Sequence, residues 1–420
     1  MADAEQIIQA AKKGDLGAQY DLGVMYEKGD GVKQDDKDAM KWYKAAADKG
    51  HAKAQSALGW MIEKRHPGPG GEKEAVKWYK LAAEQGDLYG ISNLGTMYLN
   101  GRGVGKDVDE AKRLFTIAAD KGYARAQYNL GTMYAGGIGV AQDFGEAKRL
   151  FTLAMDQGYA RAYSSLGVMY MNGKGVAEDL KEAKRLFTIA ADKGDATGQK
   201  NLGRMYEFGK GVDQSYEEAA KWYKLAADQR DTGAESSLGF LYFYGKGVPQ
   251  DYEQALILLA YAARKREVVA MKQVGLMYEN GLGTKKKEKM AAKIYMRAAE
   301  LGDADAQVKI GWMYENGIGV GQKNKEALQW YRHAAGQGHA GGQTNLGTMY
   351  FSGKGVEQDR TEALRLYKLA AEQGYARAQY NLGMMYRSGK GVPQNENEAV
   401  KWFRLAADNG DKDAKEQLAK

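Results

Sequence analysis

The chain has 420 residues, 44% of them hydrophobic and 27% charged, which is ample apolar material for a folded protein, and its four prolines suit long runs of helix. Cysteine is absent, which excludes disulfides, thiolate metal sites and a cysteine nucleophile, and no run approaches the roughly 18 apolar residues that span a bilayer. The net charge of +7, from 61 basic and 54 acidic residues, favours acidic partners slightly and does not point to nucleic acid.

Residues 4–12 predict a helix, with Ile7, Ala10 and Ala11 in the spacing of one buried face. The segment before Asp15 has no apolar core of the signal-peptide kind. The expectation is a cytoplasmic protein if the sequence is full length, and a periplasmic or secreted one if a leader has been trimmed. A second helix is predicted from about Asp15 to Lys28, with Ala18, Leu22, Met25 and Tyr26 on one face. A turn of the form Gly29-x-Gly31-Val32 follows, and its first glycine is placed to take the left-handed conformation that ends a helix. A third helix is predicted from about Asp36 to Lys49, with Ala39, Trp42, Tyr43, Ala46 and Ala47 inward.

This pair of helices then repeats. Leu22-Gly23 recurs as Leu58-Gly59, Leu94-Gly95, Leu130-Gly131, and so on to Leu382-Gly383, always at a step of 36 residues. Eleven copies follow one another without insertion or deletion, and Leu418 opens a twelfth half-copy. Asp107 with Glu110, Asp143 with Glu146, Asp179 with Glu182 and Asp359 with Glu362 have capping-box spacing at the start of the second helix of a unit. Ten of the eighteen methionines share one position in the repeat, from Met25 to Met385, with Leu241 as the exception. Beside Leu22 and Tyr26 that position reads as core rather than as an adaptable groove. The expected organisation is a terminal helix over 1–13, eleven repeats over 14–409 as one solenoid, and a terminal helix over 410–420.

The string Ala126-Gln127-Tyr128-Asn129-Leu130-Gly131-Thr132-Met133-Tyr134, then Gly137-Ile138-Gly139-Val140, then Glu146-Ala147, resembles the Sel1-like repeat. The period of 36 and the Gly-x-Gly-Val turn separate it from the related tetratricopeptide repeat. The resemblance implies an all-α, right-handed α/α superhelical solenoid whose first helices line a concave face. It also implies adaptor or scaffold roles, with no single partner. Three departures stand out. The second unit has Arg65-His66-Pro67-Gly68-Pro69-Gly70-Gly71 for its turn and Ile62 in place of tyrosine, which predicts a distorted connection. Arg230 and Arg266 stand where other units end in glycine, and Thr284 to Lys289 replace the usual valine and acidic cap.

No chemistry-bearing constellation emerges. His51, His66, His333 and His339 lack the paired helical spacing of a metal site, and the glycine turns follow helices rather than strands and carry no Walker lysine. The better candidate is a surface. On the first helices, a stripe beside the core face holds Tyr89, Asn93, Arg125, Asn129, Arg161, Asn201, Arg204, Asn345, Arg377 and Asn381, with Phe240 and Trp312 in the same stripe. Asparagine amides could grip the backbone of an extended peptide and arginines could take its carboxylates, or the asparagines could instead bridge neighbouring repeats. Phe240, Phe243 and Tyr244 group as candidate exposed aromatics or as packing between repeats. Arg264, Lys265 and Arg266, and Lys285, Lys286 and Lys287, form a candidate basic patch or a solvated turn.

The expected function is a scaffold that binds a protein or extended peptide, without cofactor, metal, nucleic acid or membrane insertion. It is not expected to be an enzyme. The alternative is an inhibitor or immunity-type protein that neutralises a toxin or enzyme by direct binding.

Overall fold

The computed structural model describes residues 2–419, with side chains from residue 4; Met1 and Lys420 of the two predicted end segments lie outside the described residues. Every element among them is helical. Residues divide into two compact units, Met1–Met205 with Lys210–Asp213, and Tyr206–Gly209 with Gln214–Lys420.

The first unit begins with α1 (Ala2–Lys12) and runs through α2 (Leu16–Lys28), α3 (Asp36–Ala47), α4 (Ala52–Arg65), α5 (Pro69–Glu84), α6 (Leu88–Asn100) and α7 (Val108–Asp120). It continues with α8 (Ala124–Gly136), α9 (Phe144–Asp156), α10 (Ala160–Asn172), α11 (Leu180–Asp192) and most of α12 (Ala196–Phe208). The second unit holds α13 (Tyr216–Asp228), α14 (Thr232–Tyr244), α15 (Tyr252–Arg264), α16 (Val268–Asn280), α17 (Glu288–Glu300) and α18 (Ala304–Asn316). After these come α19 (Asn324–Gly336), α20 (Ala340–Ser352), α21 (Arg360–Glu372), α22 (Ala376–Ser388), α23 (Glu396–Asp408) and α24 (Lys412–Leu418). Within each unit consecutive helices pack as pairs, and α4 with α6, α18 with α20 and α20 with α22 also meet, so first helices of neighbouring repeats touch. This is an all-α solenoid of 36-residue repeats.

One close approach sets the pairing. The repeated glycine of the first helix lies under a ring of the second helix, except at Gly239, which meets Leu259: a Cβ added to Gly311 would sit 2.7 Å from Tyr331 Cε1, closer than carbon atoms pack. Most of the rings at this position, among them Tyr43, Tyr79, Phe115, Phe187, Tyr223, Tyr331 and Phe403, are at most 1% exposed. Burying one such ring stabilises the fold by roughly 1.5–3 kcal/mol. The methionines of the repeated position, including Met61, Met97, Met133 and Met313, are core as the sequence predicts.

The loop between paired helices is fastened at a constant point. In every repeat but the second, the backbone N–H of the residue before the second helix donates to the carbonyl of the repeated tyrosine, as Asp107 to Tyr98 and Asp359 to Tyr350. This corrects the capping-box expectation. Asp107, Asp143, Asp179 and Asp359 do accept from the backbone N–H of Glu110, Glu146, Glu182 and Glu362. The reciprocal half does not form, because the N–H it needs is already given to the tyrosine carbonyl. Each glutamate instead takes a bidentate arginine three residues on: Arg113, Arg149, Arg185 and Arg365.

The predicted irregularities are present. In the second repeat, α4 extends to Arg65 and α5 starts at Pro69, leaving only three residues, 66–68, between them. Arg230 and Arg266 take the glycine's left-handed conformation, with φ of 66° and 69°.

Candidate functional site

Two buried polar systems recur, and they decide which of the surface candidates are free. The first joins repeats. Gln19, Gln55, Gln127, Gln199, Gln307 and Gln379 donate from Nε2 to an alanine carbonyl of the preceding repeat, for example Gln307 to Ala299. In Gln55, Gln127, Gln307, Gln343 and Gln379 the side-chain oxygen accepts from an amide thirty residues on, as Gln307 from Gln337 at 2.8 Å. Buried polar groups cost little when both ends are matched. Glu235 occupies this position in its repeat, is 3% exposed, and leaves Oε2 without a partner.

The second system joins the two helices of one repeat, and the sequence analysis did not find it. Tyr43, Tyr79, Tyr223, Tyr295 and Tyr331 each donate their hydroxyl to a glutamate sixteen residues earlier: Glu27, Glu63, Glu207, Glu279 and Glu315. Where the ring is phenylalanine, at Phe115, Phe151, Phe187 and Phe403, the earlier residue is Leu99, Ala135, Met171 or Arg387 and never glutamate. The signal was this co-occurrence at a fixed spacing. Tyr367 has Phe351 at that place and shares a hydrogen bond with Thr348 instead; burial pushes its hydroxyl up to about 12.

The predicted stripe divides by depth. Asn93 and Asn201 are only 4% and 5% exposed. Asn93 lies beside Tyr89 with its Nδ2 buried and without an acceptor, and Asn345 lies beside Tyr331, so part of the amide ladder faces the protein interior. Asn129 and Asn381 are half-buried, Arg161 and Arg204 are exposed, and Arg125 lies half-buried with its guanidinium 5.9 Å over the Tyr89 ring. Arg377 is held by Asp411 and Asp413, the latter at 2.6 Å.

In the second unit, Phe240 and Tyr244 on α14, Val269, Lys272, Gln273 and Leu276 on α16, and Asp305, Ala306 and Lys309 on α18 line a groove of about 480 Å³. Tyr244 is 57% exposed and Val269 54%, while Leu276 and the nearby Trp312 are each 38% exposed. Phe240 and Phe243 are half-buried, stacked on or edge-on to Tyr244. The rim charges are paired: Lys272 with Asp303 and Asp305, and Lys309 with Glu279.

Against this geometry the repeat can be compared with known families. The Sel1 repeat matches residues 17–51, 52–87, 89–123, 124–159, 160–195, 196–231, 233–266, 268–303, 304–339, 340–375 and 376–411. The chain belongs to the Sel1 repeat family. It is similar to the crystal structure of a protective antigen of uropathogenic Escherichia coli strains with an SLR fold. Identity there is 32% over 99% of this chain and 91% of the other, with a TM-score of 0.66. A Sel1 repeat protein from Oxalobacter formigenes is 33% identical over 73% of this chain and 90% of its own, with a TM-score of 0.55. No curated protein matches. Sel1 repeat proteins generally act as protein-interaction scaffolds and generally are not enzymes.

The remaining features of these Sel1 repeats are local. His51 and His339 cap α4 and α20 through Nδ1, and His339 Nε2 also meets Asp305 at 3.0 Å. Among the described residues no cluster of histidine, aspartate and glutamate is arranged to hold a metal, and no helix is long and apolar enough to cross a membrane. Arg264, Lys265 and Arg266 are exposed, as are Lys285, Lys286 and Lys287; Lys286 pairs with Glu288.

Proposed function

We propose that this Sel1 repeat chain is a scaffold that holds an extended protein segment along its first helices, anchored in the groove between α14, α16 and α18. The observation that carries this reading is the gathering of Tyr244, Val269, Leu276 and Trp312 on one side of adjacent repeats, all exposed. Exposed apolar side chains grouped in this way mark interaction surfaces, whereas single ones need no explanation. The buried Gln273 Nε2, which has no acceptor, supports it. A backbone carbonyl of a seated segment would supply that acceptor. The first unit offers its own exposed arginines, Arg161 and Arg204, to acidic groups. The test is capture of binding proteins on immobilised chain, compared with a Tyr244→Ser, Trp312→Ser variant. Both side chains are exposed, so the fold should stay intact; loss of capture is expected, and unchanged capture would refute the groove.

A further inference from the structure

The Tyr–Glu pairs differ in what they do with the second carboxylate oxygen. Glu63 Oε2 accepts from Tyr79, and its Oε1 takes Arg102 Nη1 at 2.8 Å. Glu315 Oε1 takes Lys354 Nζ at 3.0 Å, and Glu279 Oε1 takes Lys309 Nζ at 2.8 Å. Lys309 also lies 4.7 Å from the centre of the Trp312 ring and 5.8 Å from that of Tyr295, so its ammonium sits between a carboxylate and two aromatic rings.

The combination of glutamate, tyrosine and tryptophan around Lys309 occurs at one other place in the sequence. Glu27, Tyr43 and Trp60 each lie 252 positions before Glu279, Tyr295 and Trp312, which is seven periods of 36. The residue 252 positions before Lys309 is Ala57. The carboxylate and both rings are therefore retained while the cation has been removed. A cavity of about 420 Å³ lies there, lined by Glu27, Tyr43, Ala57 and Trp60, and walled further by Tyr20 and Tyr89. Glu27 Oε2 accepts from the Tyr43 hydroxyl at 2.5 Å, and no cation of the chain is paired with Glu27 among the described residues. Lys28 and Lys53 reach the rim, Lys64 lies 5.0 Å from the Trp60 ring, and Arg125 lies 5.9 Å from that of Tyr89. Asp87 adds a second carboxylate to the lining.

We infer that this cavity is a receptor for the side-chain ammonium of a lysine on a partner protein, which would take the place that Lys309 fills in the other copy. Rings within about 6 Å attract a cation through their faces, and a partly buried carboxylate with one oxygen already bonded holds it in a fixed direction. The source of the lysine rests on the reading of the chain as a protein holder; the chemistry of the cavity does not.

The test uses the full chain labelled with 5-fluorotryptophan, with the Trp60 signal assigned by Trp60→Phe. The probes are N-acetyl-lysine N′-methylamide, its norleucine analogue and butylamine. A fragment of this size binds on the order of millimolar. The lysine probe should shift the Trp60 signal saturably, more tightly than butylamine, and norleucine should not shift it. Glu27→Gln keeps the tyrosine bond and should weaken lysine binding about tenfold, since it removes a charge-assisted contact. Ala57→Lys should abolish the response by filling the cavity from within. Lys309→Ala should create a second responding signal at Trp312. The inference is overturned if Trp60 is silent to lysine on the order of tens of millimolar, where such fragments saturate. An equal response to norleucine, or lysine binding that survives Ala57→Lys unchanged, overturns it as well. Because these probes read only the α2–α4–α6 cavity, their failure leaves the capture test at the α14–α18 groove standing, and the reverse holds too.

Discussion

Arg230 is the nearest cation to the buried Glu235, with Nη1 3.9 Å from Oε1. That is too long for a hydrogen bond, and Arg230 itself is 70% exposed at the side chain, so it compensates the carboxylate poorly. Burial, with Asp231 adding to it, raises the Glu235 carboxyl above the ordinary range, while Arg230 and Lys265 pull the other way. A carboxyl raised in the fold binds its proton more tightly there than in the unfolded chain. Its stabilising contribution is complete below the unfolded value near 4.3 and is lost as pH rises through the folded one. Glu235→Gln, which installs the amide that Gln199 places in the preceding repeat, should raise stability at neutral pH by about 1 kcal/mol. That advantage should shrink as the medium is acidified. Thermal melts of both proteins across pH 4–8 check this, and an advantage that is the same at every pH counts against it.

The tyrosine–glutamate bond is tested by a double-mutant cycle at Tyr331 and Glu315, 2.9 Å apart. Tyr331→Phe should cost about 1 kcal/mol, because it leaves a half-buried carboxylate short of one donor. Combining it with Glu315→Leu should recover most of that loss, since Phe115 with Leu99 is the same arrangement in a native repeat. Lys354, 38% exposed, can return to water. Chemical denaturation gives the coupling, and additive losses would show that the two side chains do not act as a pair.

Much of this fold could be read from the chain alone, for a physical reason. A period of 36 that repeats eleven times averages out local ambiguity, so the core positions Leu22, Met25, Ala46 and Ala47 were legible from spacing. The surface was less legible. Whether an asparagine of the stripe faces solvent depends on the neighbouring repeat: Asn93 is closed in beside Tyr89, while Asn129 stays half open. The glutamates at 27, 63, 279 and 315 carry no motif along their own helix, and only their pairing with a tyrosine on the other helix gives them a role. The site at Ala57 carries no motif of its own and takes its meaning only from comparison with Lys309 in another copy.

Arg266 pays for its position in backbone conformation alone. With φ at 69° it stands where other repeats place glycine, and for an ordinary residue that region costs roughly 1–2 kcal/mol. Arg266→Gly should therefore raise the melting temperature, with a gain near 1 kcal/mol after the added freedom of the unfolded chain is subtracted. Gly374→Ala is the converse control. Its φ is 79° and an added Cβ meets nothing within 4 Å, so any loss there is backbone strain and not crowding. Equal melting of Arg266→Gly and the parent would mean that the neighbouring helices already relieve the strain.

The asparagines separate by what lies beneath them. Asn345 lies beside the Tyr331 hydroxyl, which Glu315 accepts from, so Asn345→Ala should destabilise the fold by about 1 kcal/mol. Asn129, half-buried beside the exposed Thr132, faces the surface that the proposed segment would cross. Asn129→Ala should leave the melting temperature within the scatter of surface substitutions, about 0.5 kcal/mol, and reduce capture of the partner. Asn93→Ala removes an amide whose Nδ2 has no acceptor, so it should cost less than Asn345→Ala despite its deeper burial. Melting and capture measured together on the three variants decide the matter. If all three lose stability in proportion to burial and none loses partner, the stripe holds repeats together and does not hold a ligand.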